Sequence, residues 1–206
     1  MQLVGYLDSP YVRRTAITMR LLGIDYQHRE LSIFRQYDEF RALHPSVKVP
    51  LLILDDGTKL IDSNLIIDYL QTQVARRSLM PPGAPEYREA LRVTGLALVG
   101  MEKVVQLIYE AQHRPEQCRH EPWKQRIIQQ FEGSVDLLEQ AVAAVEAPSW
   151  LHGPGLCQSD IATAVLWRFM QHNSQVDADA GRWPALAAFS HRAEALPEFM
   201  ACPLSG

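Results

Sequence analysis

The sequence lacks several features that would assign it to a specialised class of protein. Its 206 residues contain only three cysteines, Cys118, Cys157 and Cys202. They lie far apart, without the paired spacing of a disulfide framework or a zinc site, so we expect them to be reduced. No apolar run approaches the roughly 20 residues of a membrane span, and the opening residues have no charged-then-apolar signal pattern. These absences predict a cytoplasmic protein that does not insert into membranes.

A strong excess of charge of one sign is also missing. The chain has 20 Lys and Arg against 24 Asp and Glu, which gives a net charge of −4. Binding to a phosphate backbone needs a basic surface, so this balance argues against nucleic acid as a partner. An apolar fraction of 47% is enough to bury a sizeable core. The composition is that of an ordinary globular protein.

One proline-rich segment divides the chain. Residues 79–85 (LMPPGAP) hold three prolines and a glycine, which cannot continue a helix and indicate a semi-rigid connection. Residues 1–78 carry 10 Lys and Arg against 9 Asp and Glu, a net of +1, whereas the remainder carries 10 against 15, a net of −5. We therefore predict two domains, 1–78 and 86–206.

The first of these domains alternates strand and helix signals. Ser9-Pro10 is a typical N-cap and first helical residue, and Gly23 a typical stop. An Asp-Gly turn at residues 55–58 joins two apolar runs that we expect to pair as an antiparallel hairpin. The predicted order is β-α-β-α-β-β-α, with strands at 2–6, 26–31, 51–54 and 59–61 and helices at 10–22, at 36–43 and from 63 onward.

The second predicted domain has no convincing strand. Long helical patterns occupy 86–111 and 122–146, a third begins at Asp160, and a fourth begins at Trp183-Pro184 and ends before Pro197. The helix from Asp160 is apolar nearly all round, as expected for a central buried helix. We predict an all-α domain.

The order and spacing of four short motifs resemble those of the cytosolic glutathione transferases, including bacterial members with serine at the active site. The resemblance covers essentially the whole chain. It implies a thioredoxin-like βαβαββα domain that binds glutathione, followed by an all-helical domain that contributes the pocket for an electrophile. It also implies a homodimer. The motifs are Ser9-Pro10-Tyr11-Val12-Arg13, Val49-Pro50, Asp62-Ser63 and Asp160-Ile161-Ala162.

Ser9 is the candidate catalytic residue. From the residues alone, Ser-Pro is what any helix start favours. The resemblance implies, in addition, that the Ser9 hydroxyl donates a hydrogen bond to the sulfur of glutathione. Together with a helix N-terminus, that bond stabilises the thiolate. Tyr6 is an alternative hydroxyl, and Tyr11 is a candidate for the wall of the electrophile pocket.

Val49-Pro50 is the second candidate element. Proline has no N–H, so a proline at the start of a strand marks an edge, a bulge or a cis bond. The sequence alone favours a trans bond. The resemblance implies a cis bond, with the N–H and C=O of Val49 pairing with the cysteinyl backbone of glutathione.

The two ends of glutathione need charged or polar partners. The resemblance implies that Ser63, at a helix N-terminus, binds the γ-glutamyl carboxylate and that Asp62 faces the ammonium. Alternatively, either residue is simply the helix N-cap. Arg35 is the candidate for the glycyl carboxylate, because a guanidinium offers paired donors, and Lys48 is a competing cation.

The helical domain has fewer candidate functional residues. Asp160 resembles the acid of the family's N-capping box, but the cap position falls on Cys157, a weak acceptor, so we expect a damaged box unless Ser159 substitutes. His113, Cys118 and His120 do not have the spacing of a metal site. No metal is therefore predicted. Candidates for the electrophile pocket that could equally be plain core are Met101, Val105, Ile108 and Tyr109.

The residue at position 9 also separates reaction classes. A cysteine there would support thiol–disulfide exchange with glutathione, and Ser9 removes that nucleophile. The leading prediction is therefore a glutathione transferase, of the kind used in detoxification, in which the thiolate of the co-substrate glutathione attacks a small apolar electrophile. Two alternatives stay open. One is a non-catalytic binding or scaffold module, and the other is a glutathione-dependent peroxidase.

Overall fold

A computed structural model describes residues 1–74 and 78–204, which fall into two compact units. The first unit comprises Met1–Ser78 and the residues from Ala195 onward, and the second is Leu79–Glu194. The predicted range 86–206 placed the C-terminal residues in the helical domain instead. Arg13 shows why they group with the first unit: its Nε donates to the Cys202 carbonyl at 2.8 Å, and its guanidinium lies over the Phe199 ring.

A four-stranded mixed sheet organises the first unit, in the order β2-β1-β3-β4. β1 pairs with β2 in parallel and with β3 antiparallel, and β3 and β4 form the predicted hairpin. The predicted βαβαββα order is therefore confirmed. The elements are β1 (Gln2–Val4), α1 (Pro10–Leu22), β2 (Gln27–Arg29), α2 (Tyr37–Leu43), β3 (Leu51–Ile53), β4 (Lys59–Ile61) and α3 (Ser63–Thr72).

Both faces of the sheet are buried. On one face, Val4 of β1 and Leu51 of β3 pack with Phe40 of α2 in one apolar cluster. Because side chains alternate along a strand, the neighbouring Leu3 and Leu52 point to the opposite face, and both are fully buried. α1 and α3 also pack against each other. The sheet thereby brings the start of α1 and the start of α3 to one region.

The second unit is built from helices. They are α4 (Ala84–Gln112), α5 (Glu121–Ala143), α6 (Gln158–His172) and α7 (Pro184–Glu194), and a short 3-10 turn spans Glu116–Cys118. α8 (Pro197–Met200) belongs to the first unit. α6 is the central helix: it packs against α4 and α7, and every residue from Gln158 to Trp167 is buried. Within the described residues, no helix is long and apolar enough to cross a bilayer.

The N-terminus of α6 corrects one expectation. The predicted damage to the capping box is not present, because the Asp160 carboxylate accepts from the Cys157 N–H at 2.8 Å, from the Cys157 thiol at 3.2 Å and from the Leu151 N–H at 2.9 Å. Ser159 does not substitute for the cap; its hydroxyl donates to Cys157 Sγ at 3.7 Å. The Cys157 thiol therefore takes part in the capping box by donating to the Asp160 carboxylate. Sequence reasoning considered this thiol only as an acceptor.

Candidate functional site

The start of α1 places the Ser9 hydroxyl. Ser9 is the N-cap, with extended backbone angles, and Pro10 is the first helical residue. Its Oγ accepts from the Val12 N–H at 3.5 Å, which is long for a hydrogen bond and makes a weak cap. Because Oγ acts as the acceptor in this contact, the hydroxyl hydrogen remains a donor. The positive end of the α1 dipole lies at the same place.

A glycine lets three elements meet beside Ser9. Gly5 follows β1 with φ +133°, and a Cβ placed on it would lie 2.7 Å from Val12 Cγ2 and 2.9 Å from Val49 Cγ1. Real Cβ atoms do not approach other atoms so closely. The absence of a side chain at Gly5 therefore lets the first turn of α1 and the residue before Pro50 close on the end of β1.

Val49 precedes β3 and leaves its backbone polar groups available. The bond between Val49 and Pro50 is cis, as the resemblance implies. The Val49 side chain is half-buried against the apolar cluster of the sheet. Among the described residues, we find no hydrogen bond from the Val49 N–H or to its C=O. Both groups can therefore pair with an extended peptide.

Asp62 caps the N-terminus of α3. The Asp62 carboxylate accepts from the Asn64 N–H at 2.8 Å and the Leu65 N–H at 3.3 Å, so Asp62 is the N-cap. Its φ of +70° is uncommon for a residue with a side chain, and such backbone strain concentrates at functional sites. Ser63, the first helical residue, is buried. Asp62 therefore caps α3, and a role in ligand binding would come in addition to this one.

Arg14 is a further candidate site residue, which sequence reasoning missed. It is only 1% exposed, and its Nη1 donates to Ser63 Oγ at 3.2 Å and to Asn64 Oδ1 at 2.7 Å. Burial lowers the pKa of Arg14 to about 10, although the charge of Asp62 and the nearby Tyr11 act in the opposite direction. The guanidinium therefore stays positive at neutral pH. The only signal in the sequence is its position one helical turn after Pro10.

Arg35 is joined to Ser9 through Tyr6. The Arg35 guanidinium lies over the Tyr6 ring, 5.2 Å from its centre, which is a cation–π contact. The Tyr6 carbonyl accepts the Ser9 N–H at 3.2 Å. Arg35 and Lys48 are both exposed. Tyr6 therefore orients Arg35, and its ring is engaged with a cation.

These contacts gather the predicted residues into one site within the first unit. Two helix N-termini, Arg14 and Arg35 supply positive potential, and Asp62 supplies one negative charge. An anionic ligand with one ammonium group matches that distribution. The predicted residues that the contacts bring together are Ser9, Arg35, Val49, Asp62 and Ser63.

The candidates on α4 have mixed positions. Met101 is fully buried and so belongs to the core of the helical unit. Val105 and Ile108 are half-buried, and Tyr109 is exposed and stacks edge-on against His113 at 5.5 Å. In the part of the chain that the structure describes, no group of three His, Cys, Asp or Glu side chains could hold a metal ion.

Comparison with known proteins places these features in a context. A family model described as "Glutathione S-transferase, N-terminal domain" matches residues 3–78. The chain is 30% identical to maleylacetoacetate isomerase of Pseudomonas aeruginosa, with 97% of this chain and 93% of that protein covered.

Solved structures share the fold. A glutathione S-transferase of Methylobacterium radiotolerans, in complex with glutathione sulfonate, superimposes with a TM-score of 0.88 at 24% identity. The match covers 100% of this chain and 95% of that one. A bacterial maleyl pyruvate isomerase of the Zeta class superimposes with a TM-score of 0.76 at 20% identity over 98% and 96% of the two chains. At these identities the likeness concerns the fold.

Proposed function

The chain belongs to the glutathione S-transferase superfamily, and on this premise we propose that it is an enzyme that stabilises the thiolate of glutathione for attack on an apolar electrophile. The observation that carries the proposal is the geometry of Ser9. Its hydroxyl accepts from the Val12 N–H and keeps its own hydrogen for a sulfur. A free thiol has a pKa of about 8.5, and a hydroxyl donor at a helix N-terminus lowers it.

Each part of glutathione has a candidate partner in the first unit. Ser63, at the N-terminus of α3, binds the γ-glutamyl carboxylate, and Asp62 lies next to it for the ammonium. Val49 pairs its N–H and C=O with the cysteinyl backbone. Arg35 binds the glycyl carboxylate through paired donors. The assignment is supported by contacts that tie these residues to β1 and α1 or to the segment between them: Ser63 to Arg14, Arg35 to Tyr6, and Val49 to Gly5.

The proposed reaction begins when the glutathione thiol loses its proton to water. Ser9 then holds the thiolate by donating a hydrogen bond; it does not act as a base. The sulfur forms a bond to an electrophilic carbon, and either a leaving group departs with the bonding electrons or an activated double bond takes them and then a proton. Removal of the Ser9 donor costs about 100-fold in rate by analogy with other preorganised donors.

A second candidate is a glutathione-dependent isomerase, which the relative from Pseudomonas aeruginosa favours. Thiolate addition to a cis double bond conjugated to a carbonyl leaves a single bond that can rotate, and expulsion of the thiolate then gives the trans isomer. This route needs the same thiolate site and consumes no glutathione. Turnover of a maleyl substrate with full recovery of glutathione would favour it over conjugation.

A non-catalytic role has one observation in its favour. The Asp62 carboxylate is engaged with two helix N–H groups, and this leaves less of it for the ammonium of glutathione. Retained glutathione binding without turnover of conjugation, isomerisation or peroxide substrates would favour a scaffold over an enzyme. Turnover of peroxide alone would favour a peroxidase.

We also propose a homodimer in the cytoplasm. Support comes from a row of exposed apolar side chains on α4, where Tyr87, Leu91 and Val99 follow one another at multiples of four residues. Such a row on one helix face is typical of a surface that another molecule covers.

Calorimetric titration with glutathione tests the proposal. We expect saturable binding at or below millimolar glutathione, and loss of most of that affinity in Ser63→Ala. Ser46→Ala, which alters an exposed serine bonded to His44, serves as the control and should bind as the wild type does. No binding to the wild-type chain at millimolar glutathione would refute the proposal.

A further inference from the structure

α1 carries two neighbouring arginines that are equally buried but have different partners. Arg13 and Arg14 are each 1% exposed. Arg13 is directed to the C-terminal segment, where its Nε donates to the Cys202 carbonyl. Arg14 reaches the first turn of α3, where Nη1 donates to Ser63 Oγ and to Asn64 Oδ1. The two residues differ in direction because successive positions on a helix are about 100° apart.

The contacts of Arg14 are incomplete for a buried cation. A buried charge is costly unless it is paired and fully hydrogen-bonded. Its visible acceptors are a hydroxyl and an amide oxygen, and within the described residues its Nε has no hydrogen-bond partner. Asp62 attracts it electrostatically, but the Asp62 carboxylate bonds the helix N–H groups through Oδ1, and among the described residues no hydrogen bond joins it to Arg14. The guanidinium therefore has no directly hydrogen-bonded anion in this part of the chain, and a ligand carboxylate beside Ser63 would bring one close to it.

The bond to Ser63 also fixes a proton. Arg14 Nη1 donates to Ser63 Oγ, so that oxygen is an acceptor in this contact and its hydrogen must rotate away from the guanidinium. A hydroxyl held in this way is ready to donate to a carboxylate. A free serine would have to give up other rotamers first.

We propose that Arg14 is a positioning residue that makes the site select ligands with a negatively charged γ-glutamyl end. It orients the Ser63 hydroxyl as a donor and supplies a buried positive charge behind it. This inference rests on the proposed function, because it concerns how the same site recognises one end of glutathione. It adds a selectivity that neither the serine nor the helix end provides alone.

The test compares two ligands by calorimetry. One is glutathione, and the other is its analogue with the glutamyl α-carboxylate converted to a neutral amide. The wild type should bind glutathione about tenfold or more tightly than the amide. Arg14→Met should weaken glutathione binding by a similar factor and leave the amide unchanged, so that the discrimination disappears. Arg14→Lys should restore part of it.

Arg13→Met is the matched control, because it removes an equally buried guanidinium that contacts Cys202 and Phe199 instead. It should lower thermal stability and keep the discrimination between the ligands. If Arg14→Met does not fold, Asn64→Asp tests the same point. The new carboxylate at position 64 would neutralise the charge of Arg14 and should abolish the preference for glutathione over the amide.

Three results would overturn the inference. The first is an equal loss of affinity for both ligands in Arg14→Met, which would mean a purely structural role. The second is an unchanged preference for glutathione in Asn64→Asp. The third is a wild type that binds both ligands equally well, which refutes the selectivity while leaving glutathione binding intact. Failure of the wild type to bind glutathione at all refutes the proposed function itself.

Discussion

Gly5 and Val49 lie so close together that a Cβ atom on Gly5 would stand 2.9 Å from Val49 Cγ1. The same missing atom would stand 2.7 Å from Cγ2 of Val12, whose N–H bonds to the Ser9 hydroxyl. One glycine thus sets the spacing between Ser9, which we propose holds the thiolate, and Val49, which we propose binds the peptide backbone. Its φ of +133° is also one that residues with side chains rarely adopt.

We therefore expect Gly5→Ala to cost about 2 kcal/mol or more of unfolding free energy and to weaken glutathione binding at least tenfold. Denaturant unfolding and calorimetry measure the two effects. Gly57→Ala is the control, because Gly57 also has positive φ (+86°) but a Cβ there would meet nothing within 4 Å. It should lose stability and keep its affinity. Equal affinity losses in both variants would contradict the close-approach argument.

Local signals in the sequence were enough to predict the elements of the first unit. Ser9-Pro10 starts α1, Gly23 ends it in the left-handed conformation, and the Asp-Gly turn joins β3 to β4. These signals work because capping and turn formation involve residues a few positions apart. The motifs then identified the family, and the region of the site that they indicate stays a prediction.

What the sequence did not predict depends on contacts between distant segments. Arg14 was missed because an arginine on a helix is ordinarily a surface residue, and its burial depends on Ser63 and Asn64 lying across from it. Likewise, the C-terminal residues group with the first unit because Cys202 meets Arg13, 189 positions away. No local pattern encodes such pairings.

Arg35 should be the cation for the glycyl carboxylate. Its contact with Tyr6 holds it beside the segment that leads to Ser9, so we expect Arg35→Ala to raise the KM for glutathione about five- to tenfold with little change in kcat. Lys48→Ala should have less effect. For an analogue of glutathione whose glycyl carboxylate is amidated, the KM should be the same with the wild type and with Arg35→Ala. A larger effect of Lys48→Ala would assign the role to Lys48 instead.

The three cysteines should differ in reactivity. Burial and the neighbouring Asp160 raise the pKa of Cys157 to about 12, and burial raises the pKa of Cys202. The thiolate is the reactive form, so the raised pKa of each of these two thiols adds to the shielding that burial provides. A thiol reagent should label the exposed Cys118 rapidly in the native protein. In Cys118→Ser, labelling should require denaturant, and rapid native labelling would contradict this account.

The row of exposed apolar side chains on α4 (Tyr87, Leu91 and Val99) should form the dimer interface. We expect Leu91→Glu to convert the dimer to a monomer in sedimentation experiments, because a carboxylate in a desolvated interface is costly. Leu137→Glu is the matched control: Leu137 is a leucine of α5 exposed to a similar degree, 45% against 53% for Leu91. That variant should remain dimeric. Dissociation by Leu137→Glu alone would place the interface on α5.

Ser9 carries the central claim, and the ultraviolet absorbance of the bound thiolate tests it most directly. Titrated against pH, glutathione bound to the wild type should ionise well below the pKa of about 8.5 of a free thiol. Ser9→Ala should raise that pKa toward the free value, whereas Ser9→Thr, which keeps a hydroxyl, should retain most of the lowering. The weak 3.5 Å cap implies that Ser9→Ala costs less than about 1 kcal/mol in stability. An identical titration in wild type and Ser9→Ala would contradict the account and leave Ser9 as a helix cap alone.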